Sequence, residues 1–241
     1  MADIYEKLKQ RALRLWEDQN FFNERVLIRA RVLSTEEAIG DPEADDFPLQ
    51  KGKEKLMQAE FCNALGQAFT DQYGDFEGTL KDVLQMDLAN NFRRAIFVST
   101  LNAVLRYSAR IDGTVHCRDQ EPDKCATKLV EHLKSRYGNI RIGQIGFQPR
   151  MVEHLSPEFS IRVLDMDPDN IGSQKFHVTI EGPDSTEDVI QWADILFVTG
   201  TTIVNGTIGS FLDRKPVLFY GTTIAGPAHL MGWKRFCACS T

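Results

Sequence analysis

Four short apolar segments in the C-terminal part of the chain constrain its fold more than any other feature. They span residues 140–146, 160–165, 193–200 and 215–221, and each is followed by a turn of Gly, Thr, Asp, Asn or Pro and then by a stretch able to hold a helix. Strands that lack polar alternation are covered on both faces, and strands separated by helices are joined by right-handed crossovers in a parallel sheet. The expected fold class is therefore α/β, with a small Rossmann-like ligand-binding domain over 139–241.

The part before Gly138-Asn139 has a different texture and is expected to be a separate α+β domain, 1–138. Ile4, Tyr5, Leu8, Ala12, Leu15 and Trp16 recur at three- and four-residue intervals, which predicts an amphipathic helix from Asp3 to about Gln19. Residues 24–33 alternate like a strand with one partly wet face, and 40–55 read as a long charged loop. A strand is expected around Glu60-Phe61-Cys62, with Cys62 packed among apolar neighbours. Helices are expected over about 79–86, over about 90–108, where small and apolar residues are dense, and from Pro122 to Gly138.

Composition narrows the functional classes. The formal charge is −6, and no block of Lys and Arg forms a basic patch, so nucleic acid is not an expected partner. No apolar run approaches the ~20 residues that a membrane helix needs, and the N-terminus lacks the apolar core of a secretion signal. A soluble, cytoplasmic protein is expected. Its five cysteines at uneven spacing then suit free thiols or metal ligation better than structural bridges.

In an open parallel sheet, ligands bind beyond the carboxyl ends of the strands. The residues there are Gly146, Phe147 and Pro149 after the first strand, and Asp165 and Asp167 after the second. After the third come Thr199, Gly200, Thr201, Thr202 and Asn205, and after the fourth Gly221, Thr222 and Thr223. Glycines allow close backbone approach, hydroxyls and helix-start N–H groups can hold an anion, and an acid after the second strand can accept from a hydroxyl or amine. Each loop alone is also what helix caps and turns require. The third loop goes further, with four Thr, two Gly and an Asn in nine residues. The spacing Gly143-Gln144-Ile145-Gly146 lacks the GxGxxG fingerprint, and no phosphate loop, nucleophile elbow or HExxH pair is present. There is thus no NAD or ATP signature, and no pair of titratable residues is placed well enough by spacing to name a catalytic one.

A second constellation is His116, Cys117 and Cys125, which Cys237 could join. Imidazole and thiolates form a soft donor set suited to a thiophilic ion, Zn or similar. The start of a helix would lower the Cys125 thiol pKa. Cys237 and Cys239 would share one side of an extended segment. The alternative reading is buried small cysteines beside a surface histidine. His132, His154, His177 and His229 show no pairing, and only His229 follows a loop of the expected crevice.

Residues 199–207, the Gly221–Cys237 stretch, Gly146-Phe147-Gln148-Pro149, Leu164–Pro168 and the Leu101-Asn102-Ala103 helix together resemble the "putative heavy-metal chelation" family. The resemblance implies an enolase N-terminal-like domain followed by a Rossmann-like domain, a ligand pocket between them, and a link to metal chelation. The expected partner is a small anionic ligand or a metal chelate in that interdomain cleft, and a homodimer stays open. The alternative function is a thiolate and imidazole metal-binding protein without catalysis.

Overall fold

A computed structural model describes residues 2–19, 21, 31–34, 37 and 54–241. Most of the expected strand at 24–33 and of the charged loop at 40–55 lies outside the described residues.

The first helix, α1 (Ala2–Asp18), follows its apolar stripe: Tyr5, Leu8, Ala12, Leu15 and Trp16 are buried. A three-stranded antiparallel sheet is ordered β1 (Arg31–Val32), β2 (Lys55–Phe61), β3 (Ala64–Thr70). Strands β2 and β3 pair from Lys55↔Thr70 to Phe61↔Ala64 around a two-residue turn, Cys62-Asn63. Both turn residues have positive φ, 47° and 68°, as the primed turns of tight hairpins require. This turn corrects the packing role expected of Cys62, whose side chain is exposed at the tip.

A short helix, α2 (Leu80–Gln85), starts in a reciprocal cap between Thr79 and Asp82. The next, α3 (Asn91–Tyr107), is buried without interruption from Ala95 to Leu105, so it is covered on all sides rather than amphipathic. It lies directly on β3. A Cβ added at Gly66 would sit 2.2 Å from the Ala103 nitrogen and the Ser99 oxygen, so backbone meets backbone there.

Helix α4 (Glu121–Tyr137) ends at Gly138, φ 69°, and is followed by a seven-stranded mixed sheet. Its strands are β4 (Arg141–Ile145), β5 (Ser160–Leu164), β6 (Gln174–Lys175), β7 (Val178–Glu181), β8 (Ile195–Thr199), β9 (Val217–Tyr220) and β10 (Arg235–Phe236). The order across the sheet is β10-β9-β8-β4-β5-β7-β6, parallel except for the β6/β7 hairpin at one edge. In chain order the six parallel strands run 3-2-1-4-5-6, so the connections change direction between β4 and β8.

Helices α5 (Pro149–Leu155), α6 (Thr186–Trp192), α7 (Thr202–Asn205) and α8 (Ala225–Met231) fill the connections. Strand alternation divides the buried residues between two faces. Ile142, Ile195, Phe197, Leu218 and Tyr220 pack with Ala126, Leu129 and Leu133 of α4 and with Met151 and Leu155 of α5. Leu196, Val198 and Phe219 join α1, β2, β3, α3 and α6 in one apolar cluster that runs across both halves of the chain. Among the described residues, no helix is long and apolar enough to cross a membrane.

Candidate functional site at the carboxyl edge of the parallel sheet

The loops after β4, β5, β8 and β9 share one edge, as the parallel strand directions require. Asp165 anchors two of them: its carboxylate accepts the Phe147 N–H at 2.6 Å and the Asp167 N–H at 2.7 Å. Burial raises the Asp165 pKa, against the opposing effect of those two N–H donors.

Tyr220, at the end of β9, stacks on Phe197 with ring centroids 4.4 Å apart and reaches across β8. Its hydroxyl donates to the Gly146 carbonyl at 2.7 Å and lies 3.1 Å from that of Ile145, which ties the β9 and β4 ends together. Burial first, then the Asp165 charge and, less, Glu54, hold the phenol protonated far above its usual range. Beside it Gln144, fully buried, donates to the Gly146 carbonyl at 3.0 Å, and its Oε1 has no partner.

The first half of the chain contributes Glu54, half-buried just before β2. Burial first, then the charges of Asp165, Asp71 and Asp167, push its carboxyl up to about 7. A carboxyl of one half and the acid and phenol of the other thus sense each other's charge at the sheet edge. Buried and crowded acids of this kind are what ligand and reaction sites use to hold a proton near neutrality.

The third loop turns much of its polarity inward. The Thr199 and Thr201 hydroxyls are 3.1 Å apart, Thr202 Oγ1 donates to the Thr199 carbonyl, and Asn205 Oδ1 accepts from the Thr207 N–H and hydroxyl. Asn205 Nδ2 contacts Met166 Sδ at 3.8 Å, and Met166 is 61% exposed. The turn is braced from the first half, since Tyr5 donates to the Ile203 carbonyl and Arg94 to that of Val204. Gly146, Phe147, Asp165, Asp167, Thr199, Thr201, Asn205 and Gly221 are all partly exposed along this edge, whereas Gly200, Thr202 and Pro149 are buried.

Thr222 and Thr223 are buried between the halves. The Asn102 amide donates to the carbonyls of Gln67 at 2.9 Å and of Thr222 and Thr223 at 3.2 Å, and its oxygen accepts the Gly226 N–H at 2.6 Å. Thr223 Oγ1 accepts the Phe69 N–H. These two threonines join β3 and α3 to the β9 loop.

Residues 128–225 match the model of the DUF364 family, described as "Putative heavy-metal chelation". Two solved structures share the fold. One is a protein of unknown function from the DUF364 family of Pyrococcus horikoshii, 20% identical over 91% of this chain and 79% of that one, with a TM-score of 0.58. The other is a DUF364 protein of unknown function from Desulfitobacterium hafniense DCB-2, 10% identical over 91% and 83%, with a TM-score of 0.54. No curated protein matches the chain. The DUF364 match takes in all four edge loops and leaves out Glu54 and every cysteine.

The cysteines form a second grouping outside the matched span. Cys117 and Cys125 are buried, Cys237 and Cys239 half-buried, and all are free thiols. Burial raises the Cys117 thiol far above its usual range, and Cys237, Cys125, Glu121 and Cys239 add to the rise. Cys125 is pushed up to about 11, by burial and then Cys237, against N–H donors from Ala238 and Cys239. That corrects the helix-start expectation: Cys125 lies in the second turn of α4 on its buried stripe, where desolvation outweighs the dipole. His116 stands edge-on to Phe69 at 5.3 Å, with Nδ1 shielded and unpartnered, and burial lowers its pKa to about 4. Cys239 packs against the apolar cluster that holds Cys125. Among the described residues no three His, Cys, Asp or Glu side chains stand at metal-binding spacing, so a closed tetrahedral site is not preformed. His229 is exposed on α8, and His154 pairs with Asp123 at 2.8 Å.

Proposed function

We propose that this chain binds a small metal chelate, or the organic chelator that precedes it, at the carboxyl edge of the parallel sheet. The site would be a cleft between an enolase N-terminal-like part, 1–138, and a Rossmann-like part, 139–241. The 3-2-1-4-5-6 strand order and the change of direction between β4 and β8 support the second assignment. The observation that carries the reading is the charge influence that Glu54 of one half shares with Asp165 and Tyr220 of the other. Of the two expected ligand classes, this set favours the chelate. The groups whose charges act on Glu54 are carboxyls, and a bare anion would face Glu54, Asp165 and Asp167, whereas a chelated cation or an ammonium group would relieve their repulsion. Gln144 Oε1, buried without a donor, favours the same polarity. The free thiols suit a reducing, cytoplasmic setting.

The test is a melting series with two chelates of one metal and opposite charge, the nickel(II) complexes of triethylenetetramine and of EDTA. At a concentration about 100 times Kd a ligand adds about 2.7 kcal/mol, a rise of roughly 5–10 °C for a chain of this size. The cationic complex should produce that rise, and Asp165→Asn or Thr201→Val with Asn205→Ala should remove it. An equal rise with the anionic complex, or one that survives these substitutions, overturns the reading.

A further inference from the structure

Met166 is the most exposed large apolar side chain among the described residues, at 61%, and none of the apolar clusters takes it in. The other described methionines are shielded: Met57 and Met151 are buried, and Met86 and Met231 are half-buried against the main cluster. Packing therefore does not account for a methionine at 166. What sulfur adds to a side chain of this size is a polarizable, weak acceptor that an oxidant can turn into a strong one. The turn that carries it is fixed. Asp165 accepts the Asp167 N–H at 2.7 Å and the Phe147 N–H at 2.6 Å, and the Asp167 carbonyl accepts the Asn170 N–H at 3.0 Å. Met166 thus stands between two anchored residues and is held out into solvent.

Across the end of β4 a donor faces the sulfur. β4 lies between β8 and β5 in the sheet, Met166 follows β5, and Asn205 closes α7 after β8. Asn205 Nδ2 is 3.8 Å from Met166 Sδ. Its orientation is set from behind: Asn205 Oδ1 accepts the Thr207 N–H at 3.0 Å and the Thr207 hydroxyl at 2.7 Å, and Arg94 holds the preceding Val204 carbonyl. An amide N–H on a thioether makes a weak contact, and the same N–H on a sulfoxide oxygen makes an ordinary hydrogen bond. We propose that Met166 is a reversible oxidation site, and that its sulfoxide latches the β5 loop to the β8 loop through Asn205. Hydrogen peroxide supplies the oxygen: the O–O bond breaks, one oxygen bonds to Sδ through a sulfur lone pair, and the other leaves as water with both protons. Sulfur gives up two electrons and the peroxide takes them. A methionine sulfoxide reductase restores the thioether at the expense of two thiols, which become a disulfide while the oxygen leaves as water. The latch spans the end of β4 whatever guest the edge receives, so it does not rest on the chelate reading.

The test treats the folded full chain with dilute hydrogen peroxide and maps the products by peptide mass spectrometry. Met166 should gain one oxygen at least about tenfold faster than Met57, Met86, Met151 or Met231, as accessibility dictates. In nuclear magnetic resonance spectra of isotope-labelled protein, oxidation should shift the Asn205 side-chain amide signals and reductase treatment should restore them. Met166→Leu should show neither change, which separates this response from oxidation of the cysteines. Hydrogen exchange at the Asp167 and Asn170 amides should slow about 2–10-fold on oxidation, the factor that one net hydrogen bond contributes. Asn205→Asp keeps the acceptor that Thr207 uses and removes the donor, so Met166 should still be oxidised but the slowing should vanish. The proposal is overturned if Met166 is oxidised no faster than Met86 or Met231, if the Asn205 amide does not respond, or if exchange slows equally in Asn205→Asp.

Discussion

Replacing Asn102 by alanine tests how the two halves are joined. The amide of this fully buried side chain serves the carbonyls of Gln67, Thr222 and Thr223, and its oxygen serves the Gly226 N–H. The Thr222 carbonyl keeps a second donor in the Ala225 N–H, which leaves Gln67 O, Thr223 O and Gly226 N to lose the partner described here. A buried polar group without its partner costs roughly 1–3 kcal/mol, and three of them, partly relieved by relaxation and entering water, cost about 4 kcal/mol. At 2–4 °C per kcal/mol for a chain of this size, the melting temperature should fall by roughly 8–16 °C. The assay is calorimetric or circular-dichroism melting, with hydrogen exchange at Gly226 as a local readout. That amide should exchange faster than global unfolding accounts for. An Asn102→Ala protein that melts within about 2 °C of wild type, with Gly226 still protected, would refute the account of this joint.

Three further outcomes are expected. Glu54 holds its proton to about 7 in the folded chain against a usual 4.5, so the native state binds more protons than the unfolded one between those values. The Glu54 contribution to stability should therefore fall by about 3 kcal/mol as pH rises through that window, opposite in sign to that of His116, and it should appear as the difference in slope between wild type and Glu54→Gln in denaturant titrations. Gly66→Ala forces a methyl against the α3 backbone, and chemical denaturation should show a loss above the ~1–3 kcal/mol of ordinary overpacking. Tyr220→Phe keeps the stacking on Phe197 but removes the tie to Gly146, so it should cost about 1–2 kcal/mol in urea melts and accelerate exchange at the Phe147 amide.

The elements with a repeating pattern were legible in the sequence. α1 and α4 carry helical stripes, the inner strands β4, β5, β8 and β9 are near-continuously apolar, and α3 is dense in small and apolar residues. The edge strands β6 and β10, and β7 beside β6, span two to four residues and have no room for a period. Glu54 was hidden for another reason. It stands in the charged run Lys51–Lys55, which reads as a solvated loop, and only the fold brings it to Asp165. Tyr220 looked like one more apolar strand residue. Gln144 did carry a signal: an amide in the middle of a strand covered on both faces needs a reason to be there. Hydroxyl content marked Thr222 and Thr223, but their placement depends on Asn102, 120 and 121 residues away, and composition does not record such pairings. Among the cysteines, spacing could not show the tail turning back onto Val115 or Cys239 packing against the cluster that holds Cys125.

Helix α3 is gripped from two sides where glycine lets backbone come close: Gly66 of β3 on one, and on the other Gly226 of α8, where an added Cβ would sit 2.7 Å from Asn102 Oδ1. A rod wedged in this way can neither roll nor slide, so the two halves lack the slack that a hinge needs. A guest arriving at the sheet edge would be accommodated by rotamer changes alone. Its observed association rate should then climb in proportion to concentration, without the plateau that a slow opening step imposes.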